Sequence, residues 1–173
     1  TNDPIGKNNS CYIVVIKKSE IELQRFNNGN RTVFYGAIGE GPGIYGDGIP
    51  NTFFEDNKDN LIQVGALNTD AGVRLVTYIN GQKVFDCIDE EDEKITSAGY
   101  FGTYQQVKPM TISRTPVVIN MEDYIEDIDN WYMSKGTKTA GVGSLSFAEG
   151  GYSIYTGREF ENELMEFNMN TDT

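Results

Sequence analysis

Three groups of side chains in this 173-residue chain have types and spacing that could do chemistry: carboxylates, aromatics with amide neighbours, and two cysteines. What is missing narrows the field first. The chain has no histidine, which removes the commonest general base and the commonest zinc ligand. Ser-His-Asp, Cys-His and His-zinc sites are therefore excluded. Among the carboxylates, Glu161, Glu163 and Glu166 form a Glu-x-Glu-x-x-Glu pattern on a predicted strand. Glycoside hydrolysis needs two carboxylates at a set separation. On a strand, Glu161 and Glu163 share a face and Glu166 projects to the other. Plain alternation of core and solvent explains that pattern better, so the chain is expected not to be an enzyme.

The other acids suggest a hard cation. Asp89, Glu90, Glu91, Asp92 and Glu93 crowd together, Glu122 to Asp129 forms a second cluster, and Asn68-Thr69-Asp70 a third polar loop. Calcium takes several oxygen ligands. Asp70, Asp89, Asp92, Glu122, Asp123 and Asp127 are the candidate ligands. None shows the spaced Asp-x-Asp-x-Asp-Gly pattern, and charge runs are commonly just solvated. A formal charge of −12 nevertheless calls for counter-charge before acidic copies can pack.

Sugar rings pack their C–H faces on aromatic rings, while planar polar groups read the hydroxyls. Tyr45, Trp131, Tyr132, Tyr152 and Tyr155 are the aromatic candidates, with Asn51, Asn68 and Gln105 as polar readers. Trp131 and Tyr155 read equally as core. Cys11 and Cys87 cannot complete a tetrahedral metal site alone. In an oxidising compartment they can form a single disulfide; otherwise they are two small apolar side chains. Asn8-Asn9-Ser10 and Asn30-Arg31-Thr32 match the glycosylation sequon.

The elements that must position these residues follow a period of two. Residues 11–16 are a continuous apolar run rich in β-branched side chains, a buried strand. Residues 21–26 and 32–35 are two strands joined by Asn27-Asn28-Gly29-Asn30, whose Asn and Gly tolerate positive φ. Glycines punctuate residues 36–47 as a long surface loop, because the Lys and Ser or Thr of a phosphate loop are absent. Residues 73–79, Asn80-Gly81 and residues 82–88 form the clearest hairpin, with a type I′ turn. Further strands are expected at 60–67, 98–104, 107–112, 144–147, 152–155 and 160–169. The single helical candidate is 121–130, whose acids lack basic partners.

This pattern predicts an all-β, two-sheet antiparallel sandwich. The net charge argues against nucleic acid, since phosphate binding needs clustered Lys and Arg. No apolar run is long enough to span a bilayer, and no charged and apolar leader opens the sequence.

The stretches Tyr12-Ile-Val-Val-Ile-Lys and Ile21-Glu-Leu-Gln-Arg-Phe resemble adjacent central strands of a laminin-G-like, concanavalin A-like jelly roll. Gly72-Val-Arg-Leu-Val-Thr-Tyr-Ile-Asn-Gly-Gln-Lys-Val-Phe-Asp is similar to its strand, Asn-Gly, strand unit, and Ala98-Gly-Tyr-Phe-Gly-Thr-Tyr to the strand that follows. Tyr124-Ile-Glu-Asp-Ile-Asp-Asn-Trp-Tyr, Gly151-Tyr-Ser-Ile-Tyr-Thr-Gly and Phe160-Glu-Asn-Glu-Leu-Met-Glu-Phe resemble the opening of such a domain. They come last here, so the order reads as circularly permuted. The resemblance implies one domain over 1–173, with residues 120–173 supplying the strands that usually come first.

It also implies a secreted, non-catalytic carbohydrate-binding module, with glycan held on a sheet face or on the loops of Tyr45 and Asn68. The fold hosts many functions, so a second reading stands beside it. One strand of the usual pattern has no residues here unless residues 165–172 or 1–9 form it as an edge. An open edge can template a neighbour's strand. The second reading is therefore a self-assembling extracellular subunit, joined to copies of itself by strand donation and calcium-bridged acids.

Overall fold

The structure is a computed structural model that describes residues 8–34, 49–105, 110–113, 128–141, 144–148, 150–161 and 163–171. It is nearly all β, with antiparallel strand pairs among the described residues. The chain forms two compact units. Thr1–Phe54 with Val64–Ser97 make the first, and Glu55–Gln63 with Ala98–Thr173 make the second.

In the first unit, β1 (Ser10–Ile16), β2 (Glu20–Asn27) and β3 (Asn30–Phe34) lie in sheet order β1-β2-β3, with the two-residue β4 (Ile49–Pro50) on β2. Asn28 and Gly29 take φ of 51° and 81°, the left-handed conformation that a tight hairpin turn requires. The second part of β5 (Asn60–Thr69) adjoins β6 (Gly72–Ile79) and β7 (Gln82–Asp89). The β6–β7 turn is Asn80-Gly81, with φ of 53° and 76°. Alternation then sorts the side chains. Ile21 and Leu23 of β2 are buried with Phe34, and Val73, Leu75, Phe85 and Cys87 are buried on β6 and β7. Cys11 and Cys87 are not joined by a disulfide. Cys11 pairs with Phe26 on the β1–β2 ladder and Cys87 with Leu75 on β6–β7. Cys87 is buried and Cys11 half-buried, each on its strand.

In the second unit, β8 (Gly102–Gln105), β10 (Trp131–Met133) and β13 (Gly151–Tyr155) form a sheet of order β10-β13-β8. The other sheet runs β11 (Lys138–Gly141), β12 (Ser144–Phe147), β9 (Met110–Ser113), β14 (Leu164–Thr171), then the start of β5. Between the sheets of this unit lies an aromatic core. Trp131 is 1% exposed. Its ring centroid is 5.8 Å from Phe147, 5.6 Å from Tyr155 and 6.4 Å from Phe101. This unit is therefore a two-layer sandwich in its own right.

Several sequence expectations need correction. The strand expected at 98–104 narrows to β8, and Gly99 makes only an isolated bridge with Phe160. That bridge holds Phe160 apart from β14, which begins at Leu164 rather than at 160. β14 is interior, between β9 and β5, so residues 165–171, the described part of the expected 165–172 edge, are not a sheet edge. Strands β10 and β11 were not foreseen. Trp131–Met133 is too short to show a period, and Lys-Thr-Ala-Gly carries no apolar alternation. Of the expected helix, only Ile128–Asn130 is described, as a single 3-10 turn. The rest of that helix and the glycine loop at 36–47 lie outside the described residues. Among the described residues, no helix is long and apolar enough to cross a membrane.

Candidate functional site

The site is built by the register of β10, β13 and β8. Trp131 pairs with Tyr155, Tyr132 with Ile154, Tyr152 with Tyr104, and Ser153 with Thr103. Partners directly opposite share a face, as do residues two apart on one strand. Trp131, Ser153 and Tyr155 are buried and fill the inward face. Tyr132, Tyr152 and Tyr104 consequently share the outward one. Tyr104 is 44% exposed, and Tyr132 and Tyr152 are half-buried. The Tyr104 and Tyr152 rings stack with centroids 4.8 Å apart and planes 28° from parallel.

The backbone beneath is locally specified. The Tyr152 amide donates to Ser134 Oγ at 2.8 Å, and the Ser134 amide donates to the Tyr152 carbonyl at 2.9 Å. Gly102 sits opposite Ile154, where a Cβ would stand 2.7 Å from the Ser153 carbonyl oxygen. Only glycine lets β8 approach β13 so closely, which brings Tyr104 onto Tyr152. Chemically, the result is a stacked pair of phenol rings with a third tyrosine on the same sheet face, apolar across the ring faces and hydrogen-bonding at the hydroxyls.

Of the expected sugar-binding residues, the register places Tyr132 and Tyr152 on one sheet face, which Tyr104 shares. Trp131 is corrected to the core, since its indole is enclosed by Phe101, Phe147 and Tyr155. Tyr155 is likewise core. Asn68, in the first unit, donates to the Thr96 carbonyl at 3.0 Å. Asn51 organises a turn, donating to the Lys17 carbonyl and accepting from the Phe53 and Phe54 amides. Gln105 lies on β8 with Gly151 as its backbone partner. Tyr45 lies outside the described residues.

Among the described residues, no three His, Cys, Asp or Glu side chains group to hold a metal. Asp70 and Asp92 are exposed. Glu122, Asp123 and Asp127 lie outside the described residues. Asp89 has a different role from the one expected. It is fully buried, and both its oxygens accept from Arg25 Nη1, at 2.8 and 2.7 Å. Tyr12 donates its hydroxyl to Asp89 Oδ2 at 2.7 Å, and the Ile95 amide donates to that hydroxyl. Burial, then the Asp89 hydrogen bond, holds the Tyr12 phenol well above its usual range. Arg25 is 3% exposed and also donates to Glu91 at 2.5 Å. Sequence reasoning passed over Arg25, yet an arginine at the same parity as Ile21 and Leu23 requires a buried acid partner.

The Glu-x-Glu-x-x-Glu carboxylates are also separately engaged. Glu163 is clamped by Arg158 at 2.9 and 2.8 Å. Glu166 is buried and accepts from Gln63 at 2.5 Å. Glu161 is exposed. Compared with protein-family models, curated proteins and solved structures, the chain matches none.

Proposed function

We propose that the chain is a non-catalytic carbohydrate-binding module of the jelly-roll kind, secreted, and that it takes a neutral glycan on the face carrying Tyr104, Tyr132 and Tyr152. One observation carries this reading: three tyrosines from three adjacent strands share an outward sheet face, two of them stacked at 4.8 Å. Stacked rings offer a rigid apolar surface at low entropic cost, suited to the C–H face of a pyranose. The formal charge of −12 favours an uncharged glycan over an acidic one, because like charges repel on approach. The separate engagement of Glu163 and Glu166 supports a binding role over hydrolysis. Assembly through calcium is the weaker reading, because no comparable arrangement among the described residues supports it.

The test is a glycan array probed with the labelled chain and with the Tyr104→Ala/Tyr152→Ala variant. Neutral plant, bacterial or animal glycans should retain the chain and lose the variant. Silence across neutral glycans, or equal retention of the variant, would reject the proposal.

A further inference from the structure

The first unit carries a second polar site, separate from the tyrosine face and chemically unlike it. A cavity of about 300 Å³ opens where the β2–β3 hairpin meets the segment following β7. Its lining includes Asn27, Asn30, Thr32, Glu91, Glu93 and Arg25. That size is at the lower end for small-molecule pockets.

The hairpin register explains why these groups converge. Arg25 pairs with Thr32 and Asn27 with Asn30, so all four fall on one face of the β2–β3 ladder. This is the face of Leu23 and Phe34, and the apolar run gives way to polar groups as the turn approaches. Arg25 is the floor, anchored by Asp89 and Glu91. Its guanidinium lies 5.4 Å from the Phe34 ring centroid. Arg25 Nε is buried and has no hydrogen-bond partner, an orphan donor in a residue that lines the cavity. Glu93 is 63% exposed, and its carboxylate stands 3.7 Å from Arg25 Nη2, beyond hydrogen-bond range.

The lining decides the ligand class. Carboxylates only accept, a guanidinium only donates, and amides and a hydroxyl do both. Neither an anion nor a cation satisfies that mixture: the carboxylates repel the first and Arg25 the second. A hydroxyl group both donates and accepts. No aromatic residue is among the described lining residues, which favours recognition through ring edges over stacking on a ring face.

We infer that this cavity binds one neutral sugar ring, through hydroxyl hydrogen bonds to Glu91, Glu93, Asn27, Asn30 and Thr32 above the Arg25 floor. The inference does not rest on the tyrosine face. It is tested by titrating the isotopically labelled chain separately with glucose, galactose, mannose, xylose and N-acetylglucosamine, and with calcium chloride. The side-chain amides of Asn27 and Asn30 are the readout. At least one sugar should shift them saturably, with half-saturation around the millimolar range expected of a site this small. Glu93→Gln and Asn30→Ala should each weaken that response about tenfold or more, with the rest of the spectrum unchanged. Tyr104→Ala/Tyr152→Ala should leave it intact. Silence with all five sugars, a response to calcium alone, or shifts unchanged in both cavity variants would overturn the inference. Loss of the shifts in the tyrosine variant alone would overturn it too, while leaving the tyrosine reading in place.

Discussion

Replacing Asp89 by alanine should remove most of the stability of the first unit. The carboxylate is fully buried and takes four hydrogen bonds, two from Arg25 Nη1, one from Tyr12 and one from the Glu91 amide. The variant leaves a guanidinium that is 3% exposed, with Glu91 at 2.5 Å and the more exposed Glu93 at 3.7 Å as its remaining acids. Summing the lost bonds separately would overcount, because Arg25 keeps Glu91 and Tyr12 keeps the Ile95 amide. Breaking a buried pair by removing one partner costs about 3–5 kcal/mol. With a urea slope of about 2 kcal/mol/M, the midpoint should fall by about 1.5–2.5 M. Far-UV circular dichroism against urea measures it. The paired replacement Arg25→Met with Asp89→Leu removes both charges together. It should lie within about 1 kcal/mol of the parent or above it, because two desolvation penalties disappear with the attraction. A loss under about 1 kcal/mol for Asp89→Ala, or a double variant as unstable as the single one, would refute this reasoning.

Two glycines on the same hairpin should respond differently to alanine. Gly81→Ala meets no neighbour within 4 Å, so only its φ of 76° is penalised, at about 1 kcal/mol. Gly72→Ala has a φ of 146° and would place Cβ 2.3 Å from the Asp89 carbonyl oxygen. It should cost about 2 kcal/mol or more, read as a larger drop in urea midpoint. Burial, and then the nearby Asp86 and Asp89, pushes the Cys87 thiol up to about 11. The unfolded thiol ionises near 9, so between about pH 9 and 11 the folded state holds the extra proton. Stability should fall as pH rises through that window, by about 2–3 kcal/mol in total. Cys87→Ala should flatten this part of the stability–pH curve, measured by urea midpoints at stepped pH.

Much of the strand pattern was legible because the chain alternates where one face is buried. The Asn80-Gly81 hairpin, the apolar run of β1, and Leu145 with Phe147 on β12 all announce themselves by period and turn chemistry. The tyrosine face was half legible. Tyr132 and Tyr152 were named from chemistry alone, but Tyr104 joins them only through the β8–β13 register, a long-range pairing that local pattern does not encode. Trp131 went the other way, because a surface tryptophan and a core tryptophan look alike in sequence. The acid run after β7 concealed Asp89, whose burial is set by Arg25, 64 residues earlier. Lys138–Gly141 became a strand through its neighbour β12 and not through its own propensity.

The most direct measurement is calorimetric titration of a neutral glycan retained on the array into the parent chain and into Tyr104→Ala/Tyr152→Ala. The account predicts saturable binding by the parent and a loss of about tenfold or more in the variant, equivalent to at least ~1.4 kcal/mol. The urea midpoint of the variant should stay close to that of the parent, because Tyr104 faces outward. Equal affinities in the two proteins would contradict the account.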